Sequence, residues 1–357
     1  MTAEGAPRLA VMRAVMFDEF GQVPRVVEAP APACPPDGVV VRVASTGLCR
    51  SDWHGWRGHD AGISLPHVPG HELAGTIAEV GEQVTSWTVG DRVTTPFVIA
   101  CGVCASCRRG DHQVCDDQRQ PGFTGWGSFA DLVAIERAEV NLVRVPSAMS
   151  FDVAASLGCR FATAYRAVVL VGQVTDQEWV VVHGCGGVGL AAVMVAASRG
   201  ARVVAVDVSP ASLELAASVG ATTLLDPREV DVPSVVRELT GGGADVSIDA
   251  IGHESVVTQS LASLRTRGRH VQIGLVAGAG APLADLIGTV IGSELQVLGS
   301  HGMAAHDYPP MMDEIAAGQL RPDLLIREAI GLDDVPHRLA GLDELGSGAG
   351  GATVIRL

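Results

Sequence analysis

Residues 179–207 read WVVVHGCGGVGLAAVMVAASRGARVVAVD, and this stretch decides the fold class. It predicts a strand, Trp179–His183, followed by a glycine turn with Gly184, Gly186 and Gly189 in the spacing GxGxxG. A helix, Leu190–Ser198, and a second strand, Arg202–Val206, come next, and the acid Asp207 ends the stretch. This order is typical of dinucleotide binding, because the glycines let a pyrophosphate approach the helix N-terminus. We expect Asp207 to bind the adenosine ribose hydroxyls and to repel a 2′-phosphate, which favours NAD over NADP. The alternative for Asp207 is a helix N-terminal acid.

Strands and helices continue to alternate up to about residue 300. The predicted elements are Pro210–Val219, Thr223–Leu225, Pro233–Leu239, Val246–Ala250, Glu254–Leu264, His270–Ile273, Leu283–Ile291 and Leu295–Leu298. Such a series predicts a doubly wound parallel sheet.

The first part of the chain has a different pattern. Short β-like runs, Val39–Val43, Thr76–Val80 and Arg92–Thr95, are separated by glycines, which predicts a β-rich domain of irregular barrel type. The tail after Gly302 contains a predicted closing strand, Ala352–Leu357, which we expect to return to this first domain.

Composition excludes several functions. A net charge of −15 and a pI near 5.1 argue against binding to nucleic acid or to an anionic membrane, so we expect small-molecule partners. All 25 basic residues are arginine, which excludes chemistry that needs a lysine, such as Schiff-base formation. Arg8 and Arg13 interrupt the N-terminal apolar run, so no signal peptide is predicted and the expected location is the cytoplasm.

The segment from Gly47 to Glu72, GLCRSDWHGWRGHDAGISLPHVPGHE, concentrates groups that suit a metal. Cys49 and His71 are ligand types that Zn²⁺ prefers, and a catalytic zinc needs a third protein ligand and one open position. Cys159, in ASLGCRFATAY, is the best candidate for that third ligand. Taken singly, Cys49 can equally be a buried apolar residue and His71 a hydrogen-bonded core histidine.

A second cysteine group follows in CGVCASCRRGDHQVC. Four thiols in the pattern CxxCxxCx7C predict a closed structural zinc site: Cys101, Cys104, Cys107 and Cys115. The alternative is a pair of disulfides, which the absence of a secretory signal disfavours.

On the motifs GLCRSDWH, GHE, the four-cysteine segment, GCRFAT and GCGGVG, the chain resembles the zinc-dependent medium-chain alcohol dehydrogenases. The resemblance implies an α/β protein with a β-rich GroES-like catalytic domain, residues 1–160 and 301–357, and a doubly wound Rossmann NAD domain, residues 161–300. It also implies two Zn²⁺ per subunit, and a homodimer or homotetramer formed through the cofactor domain around Leu283–Leu298.

The resemblance assigns roles to individual residues. The catalytic zinc would be held by Cys49, His71 and Cys159, with Glu72 close behind it as a transient ligand. Asp52 would orient the His71 ring, although alone it can equally be a turn-forming residue.

A proton relay and a coenzyme site are implied in the same way. Ser51 would take the alcohol proton and pass it through the nicotinamide ribose to His54, although Ser51 can also be a local cap. The residues implied to contact NAD are Arg50 at the pyrophosphate, Thr163 near the nicotinamide, and Gly184, Gly186, Gly187, Val188, Gly189 and Asp207. Many relatives add a pyrophosphate-binding arginine near the start of the tail, where SHGMAAHDY offers only His301 and His306.

The substrate pocket is expected to be apolar. Phe97 is assigned to it by resemblance, and Trp53, Trp56 and Trp126 are further candidates, since they lie near the metal motifs. The predicted reaction is reversible hydride transfer between an apolar or aromatic primary or secondary alcohol and NAD. Alternatives are a polyol, threonine or formaldehyde dehydrogenase of the same family, or a non-catalytic NAD-binding relative.

Overall fold

The computed structural model describes residues 11–276, 283–343 and 350–357. Predictions that fall on residues 1–10, including the interruption of the apolar run by Arg8, lie outside the described residues.

Six parallel strands form the sheet around the glycine turn. In sheet order they are Ala221–Leu225, Arg202–Val206, Trp179–His183, Ala244–Asp249, Leu264–Gln272 and Gln296–Gly299. The chain runs outward in one direction from Trp179–His183 and in the other from Ala244–Asp249, which confirms the predicted doubly wound sheet. The two central strands therefore define a switch point, the place where such sheets bind ligands.

Helices cover this sheet: Gly187–Ser198, Pro210–Ser218, Val232–Thr240, Glu254–Ala262 and Leu283–Gly292. The first of them begins at Gly187, three residues before the predicted Leu190, because Gly186 is already its N-cap. The glycines after Gly186 are thus part of the helix and not of the turn. Leu190 and Val193 are fully buried against the sheet.

A seven-stranded sheet forms the core of the first part of the chain. Its strands are Ile326–Gly331, Ala352–Arg356, Val39–Leu48, Leu73–Val80, Arg92–Thr94 and Val143–Arg144 in order, with Leu132–Ile135 also paired to Val39–Leu48. Two further strands, Val11–Met16 and Arg25–Pro30, form an antiparallel hairpin. The tail returns as predicted, since Val354 lies opposite Gly47 in an antiparallel pair.

The central strand of this sheet, Val39–Leu48, is five residues longer than the predicted Val39–Val43. Its second half contains polar residues, but these are buried, and the Thr46 hydroxyl lies 2.6 Å from the Ser128 hydroxyl. A pattern of apolar residues alone therefore ends the strand too early. The extra length carries the chain directly to Cys49.

A continuous helix, Phe151–Val171, links the two sheets. It alternates α and π turns, as Phe151–Ser156, Leu157–Phe161, Ala162–Arg166 and Ala167–Val171. The predicted domain boundary at 160/161 falls inside it. It is long and apolar enough to cross a membrane, but 72% of its most apolar stretch is buried within the protein, as in a core helix.

Shorter elements complete the described chain. The remaining helices are Arg50–Trp56, Ala105–Arg108, Ala138–Asn141, Tyr308–Ala316 and Val335–Ala340, with 3-10 turns at His112–Val114, Ala305–Asp307, Pro322–Leu325 and Leu332–Asp334.

Candidate active site

One buried carboxylate, Asp52, fixes the two segments that carry the predicted metal ligands. Cys49 is the N-cap of the helix Arg50–Trp56, and its backbone N–H donates to Asp52 Oδ2 at 2.9 Å. The other oxygen, Oδ1, accepts from the backbone N–H of Gly70 at 3.1 Å and from His71 Nδ1 at 2.9 Å. Because a carboxylate only accepts, His71 must donate from Nδ1, so in the neutral imidazole, the form that binds a metal, Nε2 has the lone pair.

The structure brings together the four residues predicted around the catalytic metal. One ligand atom from each of Cys49, His71, Glu72 and Cys159 lies within 4.8 Å of the others. His71 Nε2 is buried and has no hydrogen-bond partner among the described residues, which is unusual for a buried polar atom. Two thiols, one imidazole nitrogen and a carboxylate behind them are a donor set that fits Zn²⁺.

The electrostatics of this group favour one thiolate, that of Cys49. The neighbouring Cys159 thiol lowers the pKa of Cys49 well below its usual range, and His71 and Arg160 act in the same direction against the effect of burial. Cys159 faces that thiolate, so its own pKa is raised. For His71, burial lowers the pKa, but Asp52 and Cys49 together outweigh burial, so the pKa of His71 is raised.

Glu72 is fully buried and is held by Arg160. The Arg160 backbone N–H donates to Glu72 Oε1 at 3.1 Å, Nε donates to the same oxygen at 3.0 Å, and Nη2 donates to Oε2 at 2.5 Å. Gly47 makes room for this pair, because a Cβ there would lie 2.0 Å from Glu72 Oε2. Sequence reasoning assigned no role to Arg160.

The four-cysteine segment forms a separate group. The ligand atoms of Cys101, Cys104, Cys107 and Cys115 lie within 4.8 Å of one another. The sulfurs of Cys101 and Cys107 are 3.9 Å apart and those of Cys104 and Cys115 are 3.8 Å apart. These distances are too long for disulfides and match the edge of a tetrahedron, ~3.8 Å, with Zn–S bonds of ~2.3 Å. The structure therefore contradicts the disulfide alternative and fits a structural zinc.

The residues predicted for the proton relay lie on the helix that follows Cys49. Ser51 Oγ is 3.7 Å from Cys49 Sγ, and the His54 ring lies one turn further along with its Nδ1 3.0 Å from Nδ1 of His59. Burial, Arg50 and His59 together lower the pKa of His54, which keeps this ring neutral at neutral pH. Arg50, predicted to contact the pyrophosphate, is exposed and pairs with Asp343 at 2.9 Å.

The glycine turn has the geometry expected for a phosphate cradle. Gly184 has a positive φ of +88°, and a Cβ on Gly189 would lie 1.7 Å from the Gly184 carbonyl oxygen. A Cβ on Gly186 would meet nothing within 4 Å, so this position faces open space. Asp207 accepts from the backbone N–H groups of Cys185 at 2.6 Å and Ser209 at 2.8 Å. It therefore lies at the end of its strand beside the turn.

Thr163, predicted to lie near the nicotinamide, is on the helix that carries Cys159. Its hydroxyl is buried and has no partner among the described residues, one turn beyond Cys159 on the same helix. An unpaired hydroxyl at this position fits a contact with a bound group.

The walls near His71 are aromatic, but they are not all the residues predicted. The ring centroid of Phe97 is 6.2 Å from that of His71 and 5.2 Å from that of His301. Phe123 is nearer, at 5.3 Å from His71, and sequence reasoning missed it because the PGFTGW turn carries no ligand motif. Trp53 is nine-tenths buried on the helix after Cys49, where its ring contacts His54.

Two predicted pocket residues are held elsewhere. Trp56 donates its indole N–H to the Gln22 carbonyl at 2.6 Å, and Trp126 donates to the Pro66 carbonyl at 3.1 Å. Trp126 lines a different cavity, of about 400 Å³, whose other walls include Arg119 and Glu136. Among the described residues, the phenylalanine rings that contact the His71 ring are Phe97 and Phe123, and neither Trp56 nor Trp126 contacts it.

Comparisons with known proteins agree with this site. The family model for the alcohol dehydrogenase GroES-like domain matches residues 35–147, and that for zinc-binding dehydrogenases matches residues 187–317. An alcohol dehydrogenase of Geobacillus stearothermophilus is 31% identical over 331 residues, covering 92% of this chain and 96% of that protein. An L-threonine 3-dehydrogenase of Symbiobacterium thermophilum is 32% identical over 356 residues, covering 96% and 97%.

A solved structure, alcohol dehydrogenase TADH from Thermus sp. ATN1, superposes with a TM-score of 0.87 at 31% identity, covering 97% of this chain and 99% of that one. The chain therefore belongs to the zinc-dependent medium-chain dehydrogenases. It is an oxidoreductase of the zinc-type alcohol and polyol dehydrogenase family, which uses zinc and a nicotinamide coenzyme.

Proposed function

We propose that the protein interconverts an apolar or aromatic alcohol, primary or secondary, with its aldehyde or ketone, using NAD. The observation that carries this proposal is the buried group of Cys49, His71 and Cys159, with an unpaired His71 Nε2, beside aromatic rings. When bound there, zinc would polarise the substrate oxygen, and the nicotinamide would supply or accept the hydride.

Residues of this chain would transfer the proton of the substrate hydroxyl to solvent. In the oxidation direction the Ser51 hydroxyl, 3.7 Å from Cys49 Sγ, would accept the proton from the substrate hydroxyl and release its own toward His54 when the coenzyme is bound. His54 is the terminal base, and it is exposed enough to release the proton to solvent. Asp52 keeps His71 in the tautomer that leaves Nε2 free.

NAD is the proposed coenzyme because Asp207 lies beside the glycine turn, where its charge disfavours a 2′-phosphate. The alternative substrates are more polar. A threonine or polyol substrate needs polar partners for its amino, carboxylate or additional hydroxyl groups, whereas Phe97 and Phe123 flank His71. A non-catalytic role is disfavoured because Cys49, Ser51, His54, His71 and Cys159 are all present.

The proposal is tested by measuring NADH formation from a panel of alcohols, including benzyl alcohol, a secondary alcohol, sorbitol, threonine and S-(hydroxymethyl)glutathione. We expect the highest kcat/KM with the apolar and aromatic alcohols and with NAD over NADP. A higher kcat/KM with sorbitol or threonine would contradict the proposal and identify the protein as a polyol or threonine dehydrogenase.

Matched cysteine variants serve as controls for this experiment. Cys49→Ala should remove one of two zinc ions per subunit and abolish alcohol-dependent NADH formation, whereas Cys104→Ala should remove the other zinc and lower stability. Retained turnover in the folded Cys49→Ala variant would contradict the catalytic-zinc assignment.

His54 should give the oxidation reaction a pH dependence. The relay needs a neutral imidazole, so the wild-type rate should fall as the pH falls through the His54 pKa, which lies below the ordinary 6.5. His54→Gln should lower kcat at pH 7 by about 100-fold, and this loss should shrink as rising pH lets hydroxide remove the proton. His337→Gln is the control variant, because His337 is exposed and has no proposed role in the site. Equal pH profiles for wild type and His54→Gln would exclude the relay.

Asp207 should set the coenzyme preference. Asp207→Ser removes the charge that repels a 2′-phosphate, so the ratio of kcat/KM for NADP to that for NAD should rise by about 10- to 100-fold. Asp231→Asn is a matched control, since Asp231 also accepts a backbone N–H, from Ser234 at the start of a helix of the same domain. An unchanged ratio for Asp207→Ser would count against the ribose contact.

We also propose that two or four copies assemble through the region Leu283–Leu298. Ile287, Ile291 and Val297 are 48%, 72% and 54% exposed there, and Gln296–Gly299 is an edge strand. An exposed apolar edge of this kind pairs readily with a second copy. Light scattering should give a multiple of 36.9 kDa for the wild type and a smaller assembly for Ile291→Asp. Val89→Asp, on the first domain, is the control because Val89 is 65% exposed; a monomeric wild type would refute the proposal.

A further inference from the structure

Arg160 occupies the space between the metal group and the glycine turn. On one side it forms the ion pair with Glu72, at 2.5 Å between Nη2 and Oε2. On the other side a Cβ added to Gly187 would lie 2.5 Å from Arg160 Cδ, 3.3 Å from Nη1 and 3.4 Å from Nε. The guanidinium therefore lies against the first residue of the helix Gly187–Ser198.

The hydrogen bonds of Arg160 are directed to one side only. Its backbone N–H, Nε and Nη2 donate to Glu72, whereas Nη1 has no hydrogen-bond partner among the described residues. The side chain is 11% exposed, and it lines a small recess together with Gly187 and Pro322. Nη1 is not one of the enclosed unpaired atoms, so it is open to solvent and free to donate to a bound anion.

The histidines that sequence reasoning offered for the pyrophosphate lie elsewhere. His301 packs on Phe97, and His306 packs on His112 with a centroid distance of 4.7 Å, next to the four-cysteine segment. Arg50 is exposed and paired with Asp343. Of these four side chains, Arg160 is the one that the structure places against the glycine-turn helix.

We propose that Arg160 Nη1 binds the coenzyme pyrophosphate while Nη2 and Nε stay on Glu72. The N-terminus of the helix already attracts an anion, and a fixed guanidinium adds a charge-assisted hydrogen bond. Glu72 keeps the guanidinium in place before the coenzyme arrives, so little ordering is required on binding. This inference rests on the proposed function, because it assumes a dinucleotide at the glycine turn.

The test measures NADH binding to the zinc-loaded protein by fluorescence, with zinc per subunit determined on the same samples. Arg160→Gln should raise the Kd for NADH by about 10- to 100-fold, the loss expected for one charge-assisted hydrogen bond. The Kd for ADP-ribose should rise equally, while that for adenosine, which lacks the pyrophosphate, should not change. Arg199→Gln is the matched control, since Arg199 also pairs with a glutamate, Glu314, but at the far end of the same helix.

A double variant separates pyrophosphate binding from a purely structural role. Arg160→Gln alone leaves Glu72 as an unpaired buried charge, and a charge of this kind destabilises the fold around it. The double variant with Arg160→Gln and Glu72→Gln removes both charges and leaves neither unpaired. It therefore replaces the single variant in the test if the single variant does not fold. We expect its NADH binding to stay weak with both zinc ions retained.

Recovery of wild-type NADH binding in the double variant would show that Arg160 only neutralises Glu72, and would overturn the inference. Equal losses for adenosine and ADP-ribose, or an equal loss in Arg199→Gln, would overturn it as well. A wild-type protein that binds no NADH would instead refute the proposed function.

Discussion

The site depends on the hydrogen bonds that converge on the Asp52 carboxylate. Cys49 follows the end of a strand, whereas Gly70 and His71 lie some twenty residues later, just before the strand Leu73–Val80. Asp52 joins them by accepting one N–H from each residue, with all three bonds between 2.9 and 3.1 Å. Because Asp52 is buried, water does not compete for these bonds, and the carboxylate fixes both the ligand positions and the His71 tautomer.

The third side of the site comes from a single helix. The helix Phe151–Val171 carries three residues of the site. Cys159 lies with the metal ligands, and Arg160 contacts Glu72 and Gly187. The third is Thr163, whose buried hydroxyl has no partner among the described residues. Cys159 and Arg160 lie in a π turn, Leu157–Phe161, and such turns are frequent at functional sites. This helix thereby couples the metal group to the glycine turn.

Much of this arrangement could be predicted from local pattern. Residues 179–207 contain all the local signals for their strand, glycine turn and helix, so this unit could be predicted from the sequence. The spacing of the four cysteines likewise predicts that their thiols lie together. Contacts between distant segments could not be predicted in the same way. Phe123 contacts His71 through the fold of a turn that carries no motif, and the Trp56 indole donates to the carbonyl of Gln22, 34 residues earlier. Arg160 follows a predicted ligand directly, yet its partner Glu72 is 88 residues away.

Charge explains why an arginine in this position matters. The chain carries a net charge of −15 and no lysine, and a dinucleotide is itself an anion, so long-range attraction cannot bring the two together. Binding must depend on short-range donors at the glycine turn, where burial strengthens each hydrogen bond. A buried guanidinium is suited to this role, because it keeps its charge at any physiological pH and offers separate donors to two acceptors. Glycines at 47 and 187 provide the space for it, since a Cβ at either position would approach within 3 Å of Arg160 or its partner Glu72. Steric contacts therefore require glycine at both positions next to this ion pair. The proposed contact with a pyrophosphate requires the positive charge of Arg160.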